Sequence, residues 1–333
     1  MKVLIAGGAG YIGSTVASAC VDQNIIPIIL DNLSTGRSEF VKDRDFYFGD
    51  IGDPQAVERV FRDHPDIDVA LHAAALIAVP ESVSRPMEYY RENVTKTLVF
   101  VESLIANGCH RLIFSSSAAL YRAATDGTVD ETSDVEPLSP YARTKAVVEM
   151  MLQDIAHTQA IRVLSLRYFN PIGADPKMRS GPHLRHPSHV LGKLIEAHQR
   201  GEPFTVTGDD YATRDGSAIR DYIHVWDLAT AHTAAVRNYD RAVPDAGGYS
   251  VINLGTGDGT TVKELVKAFE RVTRQPVNVV VGPRRAGDNG GAFTRIDRAA
   301  RMLQWRPKRS LADGVEDSLK WFECRSQMLP DLA

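Results

Sequence analysis

The sequence predicts an α/β fold, in which a doubly wound parallel sheet carries helices on both faces and a smaller mixed α/β lobe follows in the C-terminal half. Three observations predict it. Short apolar runs alternate with helical stretches through the first half of the chain, which is the pattern of βαβ units. The first run is followed at once by a glycine-rich turn over residues 7–13. Past Pro171 the alternation loosens, and a stretch rich in Gly, Pro and His over 171–189 opens the smaller region.

Each element follows from its local pattern. Continuous apolar runs are typical of strands buried on both faces, and they occur at residues 2–6, 25–30, 46–48, 69–74, 111–114 and 162–168. Stretches at residues 14–19, 86–107 and 140–157 predict the helices between them. In the smaller region the patterns predict strands near 204–206 and 251–253 and helices near 227–238 and 261–273.

Composition excludes several classes of protein. The chain of 333 residues has a net charge of −4, which gives no reason to expect a nucleic-acid partner. No apolar run approaches the ~18 residues that a membrane span needs, and no signal peptide precedes the first strand. We therefore expect a cytoplasmic protein with no membrane partner. Cys20, Cys109 and Cys324 are too few and too scattered for a disulfide framework or a zinc motif.

The glycine-rich turn predicts a dinucleotide site. Gly7, Gly10 and Gly13 stand between a strand and a helix, where glycines permit a tight turn and a close approach of the backbone to a pyrophosphate. The second apolar run ends in Asp31, the expected place for a carboxylate that binds the ribose hydroxyls. An acid there repels a 2′-phosphate and favours NAD over NADP, although nearby Arg37 keeps NADP open. We assign a Rossmann-type NAD-binding domain to residues 1–173 and a substrate lobe to 174–333, with the chain crossing back between them.

Tyr141 and Lys145 lie four residues apart in a predicted helix, so their side chains share one face. A tyrosine hydroxyl titrates near ~10, and a nearby ammonium lowers that pKa, so the pair can exchange a proton with a substrate hydroxyl. The spacing also occurs by chance on surface helices and gains meaning only beside a nicotinamide site. Ser117 ends the strand upstream, at the edge that faces the ligand crevice, and we expect it to join the proton relay. Asp50, after the third strand, fits either an adenine contact or an ordinary loop aspartate.

These motifs resemble the extended short-chain dehydrogenase/reductase family, and within it the UDP-glucose (UDP-galactose) 4-epimerases. Similar segments run almost end to end, and those over 166–171 (Leu-Arg-Tyr-Phe-Asn-Pro) and 220–225 (Arg-Asp-Tyr-Ile-His-Val) are especially specific to members that act on sugar nucleotides. The resemblance implies that Tyr141 takes the proton of the sugar 4-hydroxyl as C4 passes hydride to NAD. The 4-keto sugar then turns, and hydride returns to its opposite face. Lys145 would hold the nicotinamide ribose, and the helices at 86–107 and 140–157 would form a homodimer by the same analogy.

The resemblance also implies site residues by matching position. Cofactor contacts are expected from Gly7, Gly10, Tyr11, Ile12, Gly13, Asp31, Asn32, Asp50, Ile51, Ala73, Ala74, Asn93, Tyr141, Lys145 and Phe169. Contacts to a UDP-sugar substrate are expected from Ser117, Tyr141, Asn170, His189, Arg220, Arg285, Asp288 and Ala292. The two arginines suit paired phosphate oxygens, although without the resemblance surface ion pairing would be the simpler account.

Two departures from the family pattern leave the sugar open. Arg122 replaces a usual glycine near the sugar pocket, where it either points to solvent or meets an acidic group such as a hexuronate carboxylate. Ala292 stands where epimerases restricted to glucose and galactose carry a tyrosine. This smaller residue predicts tolerance of a 2-acetamido group.

A third departure is the spacing of His183, His186 and His189, which suggests a metal site. Pro182 and Pro187 break helical geometry there, and no acidic or cysteine ligand accompanies the three residues. We therefore expect no metal and a polar flap over the nucleotide.

Proteins with other functions on this fold carry different residues at positions that can be compared with this sequence. A sugar-nucleotide 4,6-dehydratase resembles this pattern but carries an acidic pair after the serine, whereas Ser117 is followed by Ala118 and Ala119. An epimerase/reductase of the GDP-fucose-synthase type would be expected to have a cysteine at the position of Ser117 and to use NADP as its cofactor. A non-catalytic NAD-sensing protein would usually have lost the Tyr/Lys pair. The sequence thus predicts an NAD-dependent UDP-hexose 4-epimerase, with a UDP-hexuronate 4-epimerase and a dehydratase as alternatives.

Overall fold

The computed structural model describes residues 1–122, 126–158, 160–245, 248–284 and 290–332. Its strands, in chain order, are β1 (Lys2–Ala6), β2 (Ile26–Asp31), β3 (Asp45–Phe48), β4 (Ile67–His72), β5 (Arg111–Ser117), β6 (Thr128–Val129), β7 (Arg162–Tyr168), β8 (Asn170–Ile172), β9 (Phe204–Thr207), β10 (Ile219–Arg220), β11 (Tyr222–His224), β12 (Tyr249–Leu254), β13 (Thr260–Thr261), β14 (Val279–Gly282) and β15 (Gly291–Thr294).

Its helices are α1 (Tyr11–Asp22), α2 (Pro54–Asp63), α3 (Val79–Ser84), α4 (Pro86–Tyr90), α5 (Lys96–Ala106), α6 (Pro140–His157), α7 (Val190–Arg200), α8 (Val225–Arg237), α9 (Tyr239–Ala242), α10 (Val262–Thr273), α11 (Asp297–Leu303) and α12 (Leu311–Met328). Short 3-10 turns lie at Ser38–Val41, Ala118–Leu120 and Pro330–Leu332. A π-helical segment, Arg91–Thr95, joins α4 to α5.

Seven strands form one sheet in the order β12-β7-β5-β4-β1-β2-β3. Each neighbouring pair is parallel. The chain runs outward from β1 to β3 and then returns to β4 on the other side of β1, so the strand order reverses there. This reversal opens a crevice at the carboxyl ends of β1 and β4, which is where ligands bind in doubly wound sheets. The predicted fold class is confirmed.

Helices cover both faces of this sheet because its central strands present apolar side chains on both. On one face, Val16 of α1 and Leu228 of α8 belong to the buried core. On the other, Val60 of α2, Phe100 of α5 and Leu152 of α6 pack against the same strands. The helix α6, which carries Tyr141 and Lys145, is therefore fixed along its length against the sheet.

The smaller region has its own sheets and core. One sheet has the order β13-β10-β15-β6, and the pairs β8–β11 and β9–β14 form two-stranded sheets. Leu194 of α7, Phe269 of α10 and Val315 of α12 are fully buried in its core. The strand β6 comes from the first half of the chain and pairs with β15.

The strand predicted near 251–253 is placed wrongly by the sequence analysis. It forms part of β12, which lies in the large sheet and pairs with β7 rather than in the smaller region. The helix α8, predicted in the same region, also packs on the large sheet. An apolar run indicates burial on both faces but not which sheet it joins, because its partner strand lies far away along the chain. The domain boundary at residue 173 stays a prediction.

A membrane-spanning helix must be both long and apolar. None of the described helices is both long enough and apolar enough to cross a lipid bilayer.

Candidate active site

The glycine-rich turn after β1 contains two kinds of glycine. Gly7 has φ of +81°, and a Cβ there would lie 2.5 Å from the Ala74 backbone nitrogen. A Cβ on Gly13 would lie 2.2 Å from the Gly7 carbonyl oxygen. Both positions therefore require glycine for the protein's own packing. Gly10 does not, because its Cβ would meet only the Gly7 oxygen, at an ordinary 3.5 Å.

Packing within the protein therefore does not explain the glycine at position 10. Because it has no side chain, Gly10 leaves the backbone open at the N-terminus of α1. It is the N-cap residue of this twelve-residue helix, and no side chain caps the first turn. Unpaired amides and the positive end of the helix dipole bind phosphate groups. The cradle fits the pyrophosphate of a dinucleotide.

Asp31 is oriented by the same turn. Its Oδ2 accepts a hydrogen bond from the Ala9 nitrogen at 2.9 Å, and its Oδ1 accepts one from the Leu33 nitrogen at 2.8 Å. Burial raises the pKa of Asp31, and these two hydrogen bonds oppose that rise. Arg37, which kept NADP open, donates instead to Asp331 at 2.9 Å and to the His183 carbonyl at 3.2 Å. The arrangement favours a ribose without a 2′-phosphate.

Asp50 organises the loops beside this region. Its Oδ2 accepts from Asn32 Nδ2 at 2.8 Å and from Lys96 Nζ at 2.7 Å, and its Oδ1 accepts from the Gly52 nitrogen at 2.8 Å. Burial raises the pKa of Asp50, but the hydrogen bonds, led by Lys96, outweigh it and leave the pKa below its ordinary value. Asp50 is therefore an ionised residue that anchors these loops, and its contact with the adenine stays a prediction.

Tyr141 and Lys145 begin α6 and share its buried face. Ser139 caps the helix by accepting from the Ala142 nitrogen at 3.2 Å, with Pro140 in the first turn. Lys145 is 4% exposed, and its Nζ donates to the Ser115 carbonyl at 2.8 Å. Burial lowers the pKa of Lys145 to about 7, against an opposing effect of the Glu149 carboxylate.

The pKa of Tyr141 responds to Ser117 in this structure. Burial raises the pKa of the Tyr141 hydroxyl, and a hydrogen bond with the Ser117 side chain lowers it. Ser117 also caps the 3-10 turn after β5 by accepting from the Ala119 nitrogen at 3.1 Å. The structure therefore joins Ser117, at the carboxyl end of β5, to Tyr141, as expected for a proton relay. The lowering that the sequence argument attributed to Lys145 comes here from the serine.

Asn93 lies on the π-helical segment and holds the loop after β4. Its Oδ1 accepts from the Leu76 nitrogen at 2.8 Å, while its Nδ2 donates to the Leu76 carbonyl at 3.0 Å and to Thr144 Oγ1 at 3.1 Å. These bonds tie the segment that begins at Ala73 and Ala74 to the first turn of α6. Asn93 positions the predicted cofactor loop through its backbone.

The expected sugar and phosphate contacts gather where the two regions meet. Phe169 is buried in a cluster that includes Tyr121 and has Ala292 packed against it. In the smaller sheet, Arg220 pairs with Ala292 along parallel strands. A Cβ on Gly291 would lie 1.8 Å from the Ile219 oxygen and 2.0 Å from Arg220 Nη1, so the arginine side chain crosses a place where only glycine fits.

The other residues predicted to contact the cofactor or the substrate lie in several different parts of the structure. Tyr11 donates its hydroxyl hydrogen to the Gly173 carbonyl at 2.6 Å and so links α1 to the start of the second half. Ile12 packs against the core and Ile51 is buried in it. Asn170 begins β8, and its nitrogen donates to the Asp221 carbonyl at 3.0 Å. Arg285 and Asp288 lie outside the described residues.

The three histidines do not converge on one point. His183 is buried, with its Nε2 2.7 Å from the Thr35 carbonyl oxygen. His186 lies 3.8 Å from Glu196, and His189 is exposed at the start of α7. Over the described part of the chain, no group of three His, Cys, Asp or Glu residues is arranged to hold a metal ion.

Arg122 points away from the expected sugar pocket. It is 59% exposed and pairs with Glu136, Nε to Oε2 at 2.5 Å, with Asp134 at 3.6 Å. Its charge is therefore compensated at the surface, in keeping with the first of its two expected roles.

Residues 3–255 match the NAD dependent epimerase/dehydratase family. The chain belongs to this family. The match extends through β12, so it includes all of the large sheet except Lys2, together with Ser117, Tyr141 and Lys145. The family resemblance drawn from the motifs is confirmed.

Known relatives and solved structures agree with the family. The UDP-glucose 4-epimerase of Rhizobium meliloti (strain 1021) is 41% identical over 328 residues, which cover 98% of this chain and 98% of that protein. The structure of UDP-glucose-4-epimerase from Stenotrophomonas maltophila with bound NAD and formylated UDP-arabinopyranose has a TM-score of 0.92 at 35% identity and covers 98% of this chain and 99% of that chain. The Bifidobacterium longum UDP-glucose 4-epimerase in complex with NAD+ and UDP has a TM-score of 0.89 at 32% identity, covering 100% of both chains.

The sequence analysis missed Glu149 and Arg167, which form a buried ion pair next to Lys145 on α6. Arg167 Nη2 donates to Glu149 Oε2 at 2.5 Å, and both residues are buried. Glu149 follows Lys145 by four residues, so its place on the same helix face was visible in the sequence. Its partner on β7 was not, since only the folded sheet brings the two together.

Proposed function

We propose that this protein is an NAD-dependent 4-epimerase of UDP-hexoses. The observation that carries the proposal is the meeting of Ser117, Tyr141 and Lys145 at the carboxyl end of β5 in a chain of this family. The crevice beside them begins at the glycine cradle of α1, where a dinucleotide fits. Relatives of nearly the full length are named UDP-glucose 4-epimerases.

Tyr141 is the proposed acid and base. Its hydroxyl removes the proton of the sugar 4-hydroxyl when C4 is oxidised and returns a proton when the 4-keto sugar is reduced on its other face. Ser117 shares a hydrogen bond with Tyr141 and so stabilises the phenolate during each transfer. Lys145, fixed by its bond to the Ser115 carbonyl, places an ammonium beside the site.

NAD, when bound, supplies the acceptor and donor of the C4 hydride, so no external reductant is consumed. The cradle at Gly10 and the carboxylate of Asp31 are the features of this chain that would hold its pyrophosphate and ribose. We assign the cofactor contacts predicted above to the same crevice. Asn93 and Asp50 act there by fixing loops, as their hydrogen bonds indicate.

The UDP moiety is assigned to the meeting of the two regions. Asn170 and Arg220 lie on β8 and β10, on the substrate side of the crevice, and we propose that they bind the diphosphate together with Arg285. Asp288 would bind the uridine ribose, and His189 lies at the start of α7 near the rim. Arginine forks suit paired phosphate oxygens in this role.

The wall of the sugar pocket is small at Ala292. This residue packs with Phe169 and Tyr121, and the adjoining Gly291 cannot carry a side chain without a clash. We therefore propose that the pocket admits a 2-acetamido group as well as the plain hexose. Arg122 pairs with Glu136 at the surface, which supports the plain and acetamido hexoses over a hexuronate.

A second copy of this chain is the proposed protein partner. Met87, Tyr90 and Leu98 follow one another along the continuous helix formed by α4, the π segment and α5, and each is exposed, Met87 by 82%. Met150 on neighbouring α6 is 58% exposed. An exposed apolar stripe across two packed helices is typical of a dimer interface.

Cys20, Cys109 and Cys324 are free thiols, which suits a reducing compartment such as the cytoplasm.

A panel of UDP-sugars tests the function. Purified enzyme is incubated with UDP-glucose, UDP-N-acetylglucosamine and UDP-glucuronate, and C4 inversion is measured by proton NMR. We expect inversion of the first two and none of the third. Tyr141→Phe should keep bound NAD and lose roughly 10²–10⁴-fold in turnover, whereas Tyr47→Phe, which breaks a surface bond to Asp63, serves as control. Absence of inversion with every sugar would refute the proposed function, and absence with the acetamido sugar alone would refute the pocket assignment.

A further inference from the structure

A buried ion pair lies directly behind the proposed catalytic groups. Tyr141, Lys145 and Glu149 are spaced by four residues on α6 and share one face. Glu149 and Arg167 are 6% and 7% exposed, and the guanidinium donates to both carboxylate oxygens, Nε to Oε1 at 2.9 Å and Nη2 to Oε2 at 2.5 Å. Tyr249 of β12 also hydrogen-bonds to this carboxylate. A buried fork of this kind has one geometry, which makes it a rigid support.

The carboxylate also holds the end of β5. Ser116 donates its hydroxyl hydrogen to Glu149 Oε1, and Ser116 directly precedes Ser117 in the strand. One residue earlier, the Ser115 carbonyl accepts from Lys145 Nζ at 2.8 Å. Two consecutive turns of α6 therefore hold two consecutive residues of β5. The position of the Ser117 hydroxyl relative to Tyr141 depends on both contacts.

On its other side the ion pair reaches the substrate lobe. Arg167 Nη1 donates to the Tyr121 hydroxyl at 3.0 Å, and that hydroxyl donates to Asn253 Oδ1 at 2.7 Å. Asn253 Nδ2 then donates to Thr294 Oγ1 at 2.9 Å. Thr294 ends β15, the strand that carries Ala292. A chain of hydrogen bonds thus connects the catalytic helix to the wall of the sugar pocket.

We propose that Glu149, held in place by Arg167, is a positioning residue that fixes the strand end bearing Ser117 and sets a carboxylate one helical turn from Lys145. The inference rests on the proposed function, because Tyr141, Ser117 and Lys145 are the groups it positions. Glu149 itself touches neither substrate nor cofactor in this account. Its effect passes through its contacts with Ser116, Arg167 and the neighbouring turn of α6.

Among the charged groups around Lys145, Glu149 is the one that opposes the fall of its pKa. Burial lowers the pKa of Lys145 to about 7, and the Glu149 carboxylate opposes that fall. His72 on β4 faces the same ammonium, but burial, together with Lys145 itself, lowers the pKa of His72 to about 3, so it stays neutral. Tyr141 is the other titrating group on this face of α6, and Arg167 on β7 is separated from Lys145 by the carboxylate. Removing the Glu149 charge should therefore lower the pKa of Lys145 further.

The test is Glu149→Gln in the full-length, NAD-loaded enzyme. Turnover should fall at least roughly tenfold while bound NAD and the melting temperature stay near wild type. Because the ammonium is lost at lower pH in the variant, the alkaline limb of the kcat–pH profile should move to lower pH by about 0.5–1 unit. The Lys145 ammonium should itself lose its proton at lower pH than in wild type. NMR titration of the Lys145 side chain, assigned by the loss of its signal in Lys145→Arg, measures this without turnover.

Asp175→Asn is the matched control. Asp175 is also a fully buried carboxylate bound by an arginine, with Arg179 Nε at 2.6 Å, but it lies outside the proposed site. It should leave both titrations unchanged. If Glu149→Gln alone does not fold, the double variant Glu149→Gln/Arg167→Gln, which leaves no unpaired buried charge, is measured in the same way.

A Lys145 titration and a pH profile that coincide with wild type would overturn the inference. Wild-type enzyme without C4 inversion would instead refute the proposed function. The lysine titration would still decide whether Glu149 controls the charge of Lys145, because it needs no substrate.

Discussion

Gly10 and Gly13 belong to one motif, yet the protein's own packing demands glycine at only one of them. We expect Gly10→Ala to fold like wild type, since the new methyl group has 3.5 Å of clearance, and to bind NAD at least roughly tenfold more weakly, about 1.4 kcal/mol. Gly13→Ala should instead lose about 1–3 kcal/mol of folding free energy or more, because its methyl group would lie 2.2 Å from the Gly7 oxygen. Urea unfolding of the NAD-free proteins and NAD titration separate the two effects. Equal loss of stability in both variants would contradict the assignment of Gly10 to the ligand.

Residue types and their spacing predicted the chemical role of single residues. They were less informative about which other residues those side chains contact. Four-residue spacing placed Tyr141 and Lys145 on one face, and the structure agrees. The same reasoning did not show that Lys145 bonds to the Ser115 carbonyl, because that partner is on a strand thirty positions away. Nor did it show that a lysine on α5 binds Asp50 and makes it an anchor of the loops, whereas the adenine contact of Asp50 stays a prediction. Contacts between elements are fixed by the tertiary fold and carry no local signature.

At the scale of elements, the π segment between α4 and α5 departs from regular helical geometry, and this departure affects the predicted cofactor loop after β4. The extra residue in its turn sets Asn93, which is buried, against the loop that follows β4. We expect Asn93→Ala to lose about 1–3 kcal/mol of folding free energy, because the Leu76 backbone groups lose their partner. NAD binding should weaken in the same variant. Asn107→Ala, which removes a single bond to the Ser103 carbonyl at the end of α5, is the control, and it should leave NAD binding unchanged.

Hydrophobic pattern predicted where elements occur but not where the polar strand ends lie. The apolar run at 111–114 ends three residues before β5 does, since the strand continues through Ser115, Ser116 and Ser117. Of these, Ser116 donates to the buried carboxylate of Glu149 rather than packing in an apolar core. The stretch at 86–107 is predicted as one helix, whereas in the structure a π segment separates α4 from α5. Functional sites are where such local departures concentrate.

At the scale of the whole molecule, the dimer proposal is the one that adds a second chain. Met87→Glu places a charge in the middle of the exposed apolar stripe and should convert the dimer to a monomer. Sedimentation velocity measures the change. Val281→Glu, which alters an exposed valine of β14 in the smaller region, should leave the assembly intact. A wild-type protein that sediments as a monomer would refute the dimer, and so would an unchanged Met87→Glu variant.

The central claim is that C4 is oxidised and reduced within one active site without exchange of its hydrogen. UDP-glucose labelled with deuterium at C4 tests this most directly, with the enzyme in ordinary water and no added reductant. The account predicts UDP-galactose that keeps the deuterium at C4, because Tyr141 exchanges only the hydroxyl proton. Mass spectrometry and NMR of the product locate the label. Product that has lost deuterium from C4 to solvent would contradict the account.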